Sequence, residues 1–511
     1  MNQISNTVLA EIDAKELRAL LRNHEFFIEY FLADEIPEGQ QVEDFHLATF
    51  GRAVDLWHDK NSPLFPRKDV VALPREHAKT TYARLAWIYL LFFSPVQFFV
   101  YMGSTHGNAS ASIGSIWNRI MSDPAIDAFG LPRIRVERLS EGYVEFVVEA
   151  YDEHDEPYEK LVIFKALGVG QALRGMNVHN LRPQYVTCDD IEDDTAVKTK
   201  EGYLKIKHWF DNTFMRAVSR RPGRSKVFQI GNLIGAQTLL NDNITDPEWR
   251  SMRLGVLRKD GSPLWAASWP LEVITADLER AKRRGGLSAW FGEMMNMPYN
   301  LETALISYED LYFQPRRHYA DGGDYKTFIT IDPAISEKDS ADEAAIVLHT
   351  IDDFGLPQIT EYVAQRGLGP DGIADVVWDM CLRWDCKLVG CESVALQKVL
   401  LNFLELKFAT RGELGVEFVP IDVGRVWKTG RIQTWCAAIR DREYCLAEGD
   451  WGVPSQLISF DIRKTNNQDD LIDACSMGMH MLKFYMHRIM ASKALTLQDR
   501  IRKAQRECTT T

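Results

Sequence analysis

Apolar and polar positions divide this chain into two alternating stretches with a differently patterned segment between them. In the first stretch, short apolar runs predict strands at 69–73, 96–102, 143–150, 160–166, 184–188 and 226–231, with helices at 80–93, 107–121 and 203–219. Strands alternating with helices predict a largely parallel sheet with helical crossovers. The second stretch predicts strands at 325–332, 343–351 and 357–365, a helix at 370–384, a strand at 387–392, a helix at 395–406, a strand at 417–421 and helices at 429–440 and 468–486. Three strands in succession before the alternation starts predict a mixed sheet with helices on both faces. Residues 1–60 read as helical, with Phe26, Phe27, Tyr30 and Phe31 available to pack on the next domain. Between the two stretches, Trp249, Trp265, Trp269 and Trp290 accompany a helix near 270–284 that ends at Gly285-Gly286, the mark of a small helical subdomain or lid. The expected division is 1–60, 61–245, 246–310, 311–487 and a tail at 488–511 that carries six Lys or Arg against two acids.

Composition narrows the class. With 46% apolar and 26% charged residues, a chain of 511 residues can bury a core in each half. A net charge of −13 excludes a protein coated in basic surface and leaves room for local basic patches. The eight cysteines form no C-x-x-C pair, and Cys381, Cys386 and Cys391 lack matching histidines, so neither a zinc site nor a disulfide framework is expected. The apolar run at 85–102 is broken by Ser94-Pro95 into a helix end and a strand, so no membrane span is expected.

The chemistry gathers at strand ends. DVVALPREHAKTT (69–81) reads as a strand, a tight loop and a helix start. In such a loop, backbone N–H groups and a helix N-terminus face an anion, a lysine reaches the outer phosphates and a hydroxyl holds Mg²⁺. Leu73 and Ala78 stand where G-x-x-x-x-G-K-[ST] has its glycines, but Lys79 and Thr80 keep their roles. Pro74, Arg75, Glu76, His77, Ala78, Lys79, Thr80 and Thr81 are the expected nucleotide-binding residues. Further on, LRPQYVTCDDIEDD (181–194) ends an apolar strand in Asp189, the expected Mg²⁺-holding acid, with Asp190 and Glu192 as alternatives for the carboxylate that orients water. Arg174, in the glycine-containing stretch 166–177, and Arg75 are alternatives for a γ-phosphate-stabilising arginine. Gln229 and Asn232 lie near the end of strand 226–231, where a sensor of hydrolysis would sit.

A second constellation consists of Asp332 ending FITID, Glu392 ending KLVGCE, and Asp469, Asp470 and Asp473 opening a helix. Acids converging from two strand ends and a helix start suit a pair of divalent metals, Mg²⁺ or Mn²⁺, that cut a phosphodiester. Asp342 is a possible accessory ligand, and Asp473 is alternatively a group that supports the cluster from behind. Arg425, Lys428 and Arg431 follow the strand at 417–421 and are the expected contacts to DNA phosphates.

With PREHAKTT, the G-x-x-x-x-R-G stretch (170–175), CDDIEDD, ITIDPA, CES and DDLIDA in this order, the chain resembles the large terminase subunit of tailed bacteriophages over roughly 60–485. The resemblance implies an α/β chain: a P-loop (ASCE-type) ATPase domain with a helical subdomain, followed by an RNase H-like nuclease domain. It implies ATP and Mg²⁺ as cofactors, Mn²⁺ as an option at the nuclease site, double-stranded DNA as substrate, a portal protein and a small terminase subunit as partners, a pentameric ring on the procapsid, and the host cytoplasm as location. Asp190 departs from the family pattern, which has an adjacent Glu there. Two other readings stand beside it. One is a helicase- or transposase-like ATPase with a non-packaging RNase H-like domain; the other is a docking protein whose loop no longer binds ATP.

Overall fold

The computed structural model describes residues 13–32, 42–56, 67–122, 134–171, 176–192, 199–219, 225–235, 238–297, 304–318, 325–333, 343–392, 397–412, 414–421, 428–462 and 469–491. The chain divides into two units, Met1–Arg258 with Ser262–Tyr299, and Lys259–Gly261 with Asn300–Thr511.

The elements of the first unit run α1 (Ala14–Leu21), α2 (His24–Phe31), α3 (Asp44–Val54), β1 (Arg67–Ala72), α4 (Lys79–Phe93), β2 (Phe98–Gly103), α5 (His106–Ile120), β3 (Arg135–Ser140), β4 (Tyr143–Tyr151), β5 (Pro157–Gly168), β6 (Tyr185–Asp189), α6 (Lys200–Trp209), β7 (Lys226–Gly231), α7 (Leu239–Thr245), β8 (Arg250–Arg253), α8 (Leu271–Arg283) and α9 (Leu287–Met295). A π turn, Phe210–Phe214, carries the chain on from α6. The sheet order is β3-β4-β5-β2-β6-β7-β1-β8. One strand, β7, therefore separates the loop-bearing β1 from the acid-bearing β6, the strand order of an ASCE-type P-loop ATPase.

Two features depart from the expected parallel sheet. β3, β4 and β5 form an antiparallel meander, and only β5 rejoins the parallel core, beside β2. The cause is written in β4, whose side chains alternate half-buried and buried along YVEFVVEAY, whereas FFVYMG in β2 is buried on both faces. In addition, β8 pairs in parallel with β1, so the sheet continues past the boundary expected at 245.

Helices cover both faces. Trp87 of α4 is fully buried and donates from Nε1 to Thr187 Oγ1 of β6 at 2.8 Å, fastening the helix after the loop to the acid-bearing strand. At the opposite ends of the strands, buried Asp69 meets Lys226 at 3.2 Å and Arg67 at 3.1 Å. Burial alone would raise the Asp69 carboxyl; Lys226 and Arg250 outweigh it and hold the group below its usual range.

Lys160 of β5 is buried at the C-terminal end of α4, where its ammonium donates to Ser94 O at 2.6 Å and Val96 O at 3.1 Å. Burial pushes this lysine down to about 7. Between pH 7 and the ordinary lysine range the unfolded chain then holds one more proton than the folded one. Stability gains about 1.4 kcal/mol per pH unit from this residue over that window and nothing below it. Lys160→Met is expected to flatten that slope in urea denaturation between pH 7 and 9; an unchanged slope would contradict the account.

In the second unit the order is β9 (Phe313–Gln314), β10 (Lys326–Asp332), β11 (Ala344–Ile351), β12 (Pro357–Gln365), α10 (Pro370–Trp384), β13 (Leu388–Glu392), α11 (Gln397–Arg411), β14 (Glu417–Ile421), α12 (Lys428–Arg440), β15 (Cys445–Ala447), α13 (Gly452–Ser459) and α14 (Asp470–Ala491). The sheet order is β14-β13-β10-β11-β12-β15-β9. β10, β11 and β12 form an antiparallel meander, and β13 and β14 add to β10 in parallel, as in an RNase H-like fold. Ile331 pairs with Cys391, so Asp332 and Glu392 end neighbouring strands at the same edge. α14 crosses this sheet closely. Thr330 Oγ1 donates to Ala474 O at 2.8 Å, and a Cβ on Gly478 would stand 2.7 Å from His349 Cε1. Among the described residues, no helix is long and apolar enough to cross a membrane.

Candidate functional site

The loop after β1 turns through two left-handed residues, Glu76 (φ 61°) and Ala78 (φ 57°), before α4 begins at Lys79. Ala78 occupies the glycine position and adopts the conformation that glycine adopts most readily. As N-cap it offers no side-chain acceptor to the first turn of α4. Leu73, at the other glycine position, is buried, with its N–H on Gly231 O at 3.3 Å.

Lys79 and Thr80 meet the acids at the end of β6. The Lys79 ammonium donates to Asn232 Oδ1 and lies 3.3 Å from Asp190 Oδ2. Thr80 Oγ1 donates to Asp189 Oδ1 at 3.1 Å, and Tyr101 OH donates to Asp189 Oδ2 at 2.6 Å. Burial, reinforced by the Asp190 charge, pushes the Asp189 carboxyl up to about 6. Its negative form therefore gains from any cation placed beside Thr80. Asn232 also donates to Leu73 O at 2.7 Å and Glu293 O at 3.0 Å, so one side chain joins the loop, Lys79 and α9. Gln229, the other candidate sensor, accepts from Asn243 at 2.6 Å and is buried. A cavity of 240 Å³ opens among Arg75, Lys79, Asp190, Glu192, Asn232 and Glu293. A Cβ on Gly231 would stand 3.2 Å from Asp190 Oδ1, so glycine there leaves that carboxylate its place.

The acids after β6 differ in what holds them. Asp190 is half exposed beside Lys79. Glu192 accepts from Leu239 N at 2.7 Å and Leu240 N at 2.9 Å, capping the first turn of α7 with both oxygens. Burial nonetheless raises its carboxyl. Glu192→Ala is thus expected to cost about 1–2 kcal/mol of stability in thermal unfolding, with ATP turnover kept at 25 °C; lost turnover in a folded variant would return Glu192 to the chemistry. Arg75 donates to Glu293 Oε2 at 2.9 Å, which holds it at the cavity rim. Arg174 lies outside the described residues.

In the second unit, Asp332, Glu392, Asp469, Asp470 and Asp473 come together with Lys428 and Arg431 of α12. Burial, then Asp473, Glu392 and Asp470, raise the Asp332 carboxyl well above its usual range, against the pull of Lys428. The Lys428 ammonium lies 2.8 Å from Asp469, 3.5 Å from Asp473 and 3.8 Å from Asp470. Burial opposes its charge, but Asp473 and Asp469 outweigh that and raise its proton affinity.

Asp473, read either as a ligand or as a support behind the cluster, is buried and accepts from Arg431 at 2.8 and 2.9 Å. Arg431, expected on DNA, thus binds Asp473 and lies 3.9 Å from Glu392. Arg425 and Asp342 lie outside the described residues.

Among the described residues, no three His, Cys, Asp or Glu side chains stand as an assembled metal cage. The donor set still fits a hard divalent cation: it is all oxygen and crowded with negative charge. Next to it, Glu343 Oε2 is buried with no hydrogen-bond partner among the described residues, while the Glu343 N–H binds Asp470 Oδ2 at 3.1 Å. Tyr101, Glu293 and Glu343 escaped the sequence reading. Tyr101 alone left a trace, as the one hydroxyl in FFVYMG.

No family model matches the sequence, and no curated protein matches it. Among solved structures, one similar chain is the large terminase of a thermophilic bacteriophage, at 11% identity and a TM-score of 0.31, covering 85% of this chain and 98% of that one. The ATPase domain of the Thermus phage P74-26 large terminase is 15% identical, with a TM-score of 0.31, over 52% of this chain and 95% of that one. The zinc-bound large terminase nuclease of the thermophilic phage G20c is 12% identical, with a TM-score of 0.26, over 34% of this chain and 94% of that one. These three solved chains are a phage large terminase, a large terminase ATPase domain and a large terminase nuclease.

Proposed function

We propose that this chain is the large subunit of a viral DNA-packaging motor, in which ATP hydrolysis drives double-stranded DNA into a procapsid and a metal-dependent endonuclease cuts concatemeric DNA. The observation that carries the reading is the pairing, in one chain, of a lysine- and threonine-bearing loop facing Asp189 and Asp190 with an RNase H-like sheet whose strand ends carry Asp332 and Glu392.

In the first unit, Lys79 neutralises the outer phosphates of ATP and Asn232 fixes its ammonium. Thr80 and Asp189 would hold Mg²⁺, which would supply positive charge to offset that of the phosphates. Asp190 faces the same cavity and orients the attacking water, and Arg75 stands at its rim. In the second unit, Asp332, Glu392 and Asp470 would hold Mg²⁺ or Mn²⁺, which when bound supplies an activated water and stabilises the leaving oxygen. Asp469 steers Lys428, and Arg431 holds Asp473 behind the cluster. Lys428 offers the scissile phosphate a positive partner. The motor reading brings with it a portal protein, a small terminase subunit, assembly as a homo-oligomeric ring and action in the host cytoplasm.

The test is DNA-stimulated ATP turnover and plasmid cleavage with Mg²⁺ or Mn²⁺ by the whole chain, followed by packaging into procapsids bearing the portal. Strand separation without double-strand cleavage would favour a helicase-like ATPase. A folded protein that binds no ATP would sink the motor reading.

A further inference from the structure

His77 lies inside the phosphate loop, yet its side chain turns away from the cavity and is buried against α3 and the turn before α8. Its ring stacks on Trp269 at 5.9 Å and lies 5.9 Å from Trp265 and 6.0 Å from Phe45. A second buried histidine, His46 of α3, stands 4.7 Å from Trp265. His46 is 1% exposed and His77 fully buried.

Hydrogen bonds fix which nitrogen of each ring carries the proton. His77 Nδ1 faces Arg75 O at 2.9 Å, and a carbonyl only accepts, so Nδ1 carries the proton and Nε2 is a bare acceptor. His46 Nδ1 receives the Glu43 N–H at 3.2 Å, so in the neutral ring the proton sits on Nε2, a donor. Burial keeps both rings neutral, pushing His46 down to about 3 and His77 to about 4. Trp265 Nε1–H is a second donor. All three atoms are buried, and none has a hydrogen-bond partner among the described residues. Leaving two donors and one acceptor unpaired in one buried aromatic cluster would be destabilising.

We propose that His46 Nε2, Trp265 Nε1 and His77 Nε2 bind a single buried water, which accepts from the first two, donates to the third and so ties the phosphate loop to α3 and to the turn before α8. Two donors and one acceptor complement one water, which commonly makes about three bonds in a protein interior. His77 is then a positioning residue: its Nδ1–H shapes the turn at Arg75, and its Nε2 anchors that turn to the helical layer.

The direct test is a crystal structure of the whole chain that resolves ordered water. The expected result is one density peak about 2.8 Å from each of the three nitrogens; a dry cluster, or a side chain in that place, overturns the proposal. A functional test rests on the nucleotide reading of the loop and uses binding of a fluorescent ATP analogue. His77→Gln retains an acceptor near the Nε2 position, whereas His77→Asn retains only a donor near Nδ1. The Gln variant, which gives up the donor to Arg75 O but keeps the anchoring acceptor, is expected to bind about three-fold more weakly than the parent, and the Asn variant about ten-fold more weakly. Equal losses in both would overturn the anchoring role. If the parent itself binds no nucleotide, the nucleotide reading fails, and the density still decides the water.

Discussion

Asp332→Asn is expected to lower metal-dependent cleavage of double-stranded DNA on the order of 10³-fold while leaving ATP turnover unchanged. Asp332 ends β10, an interior strand of its sheet, with Glu392 beside it on β13 and the acids of α14 near it. An amide keeps the shape and removes the charge that would draw a divalent cation. The loss cannot be confused with unfolding, because stability should move the other way. The folded-state carboxyl is raised, so Asp332 contributes stability at low pH and loses it as pH rises through its folded value. At neutral pH the Asn variant is therefore expected to melt no lower than the parent. A variant that cuts plasmid normally with either metal would remove Asp332 from the chemistry.

The second large effect is on the other unit. Lys79→Ala is expected to reduce ATP turnover on the order of 10³-fold and to leave plasmid cutting intact. Its ammonium is fixed between Asn232 and Asp190 and is the positive group of the cavity that α4 delivers. The cost in stability should be small, since Asp190 is half exposed and water can replace its partner. Steady-state ATP hydrolysis and plasmid cutting, measured on both variants, give a two-by-two result. If cutting depended on Lys79 alone and turnover on Asp332, the assignment of one reaction to each unit would be wrong.

Much of this could be read from the sequence because the strands that carry the chemistry are buried on both faces. Runs such as YVTC before Asp189 and FITI before Asp332 are buried throughout, and an acid just after such a run lies at a strand end. The strands that escaped were exposed or short. β3 is exposed at every residue, β8 is four residues of RSMR, and β9 and β15 are too short to show a period. Partner choice escaped for another reason. Glu192 follows Asp189 by three residues, and nothing in that spacing shows that α7 presents its first amides to it. Nor does the run after β14 show that Arg431 donates to Asp473. Spacing along a chain ranks residue types but does not say which neighbour across the fold reaches them first.

α14 also has a mechanical consequence. Its 22 residues make a rod about 33 Å long, with Asp470 and Asp473 at one end. The sheet clamps it at Ala474 through Thr330 and beneath Gly478, and again farther along where Tyr485 OH reaches Pro420 O at 3.2 Å. A beam clamped near one end and loaded at the other bends beyond the clamp and hardly at all behind it. Whatever pulls on the distal turns near Ala491 will therefore flex the far end of the rod, while its acids keep their register with Asp332 and Glu392. The carboxylates are insulated from strain by a fulcrum placed one turn away.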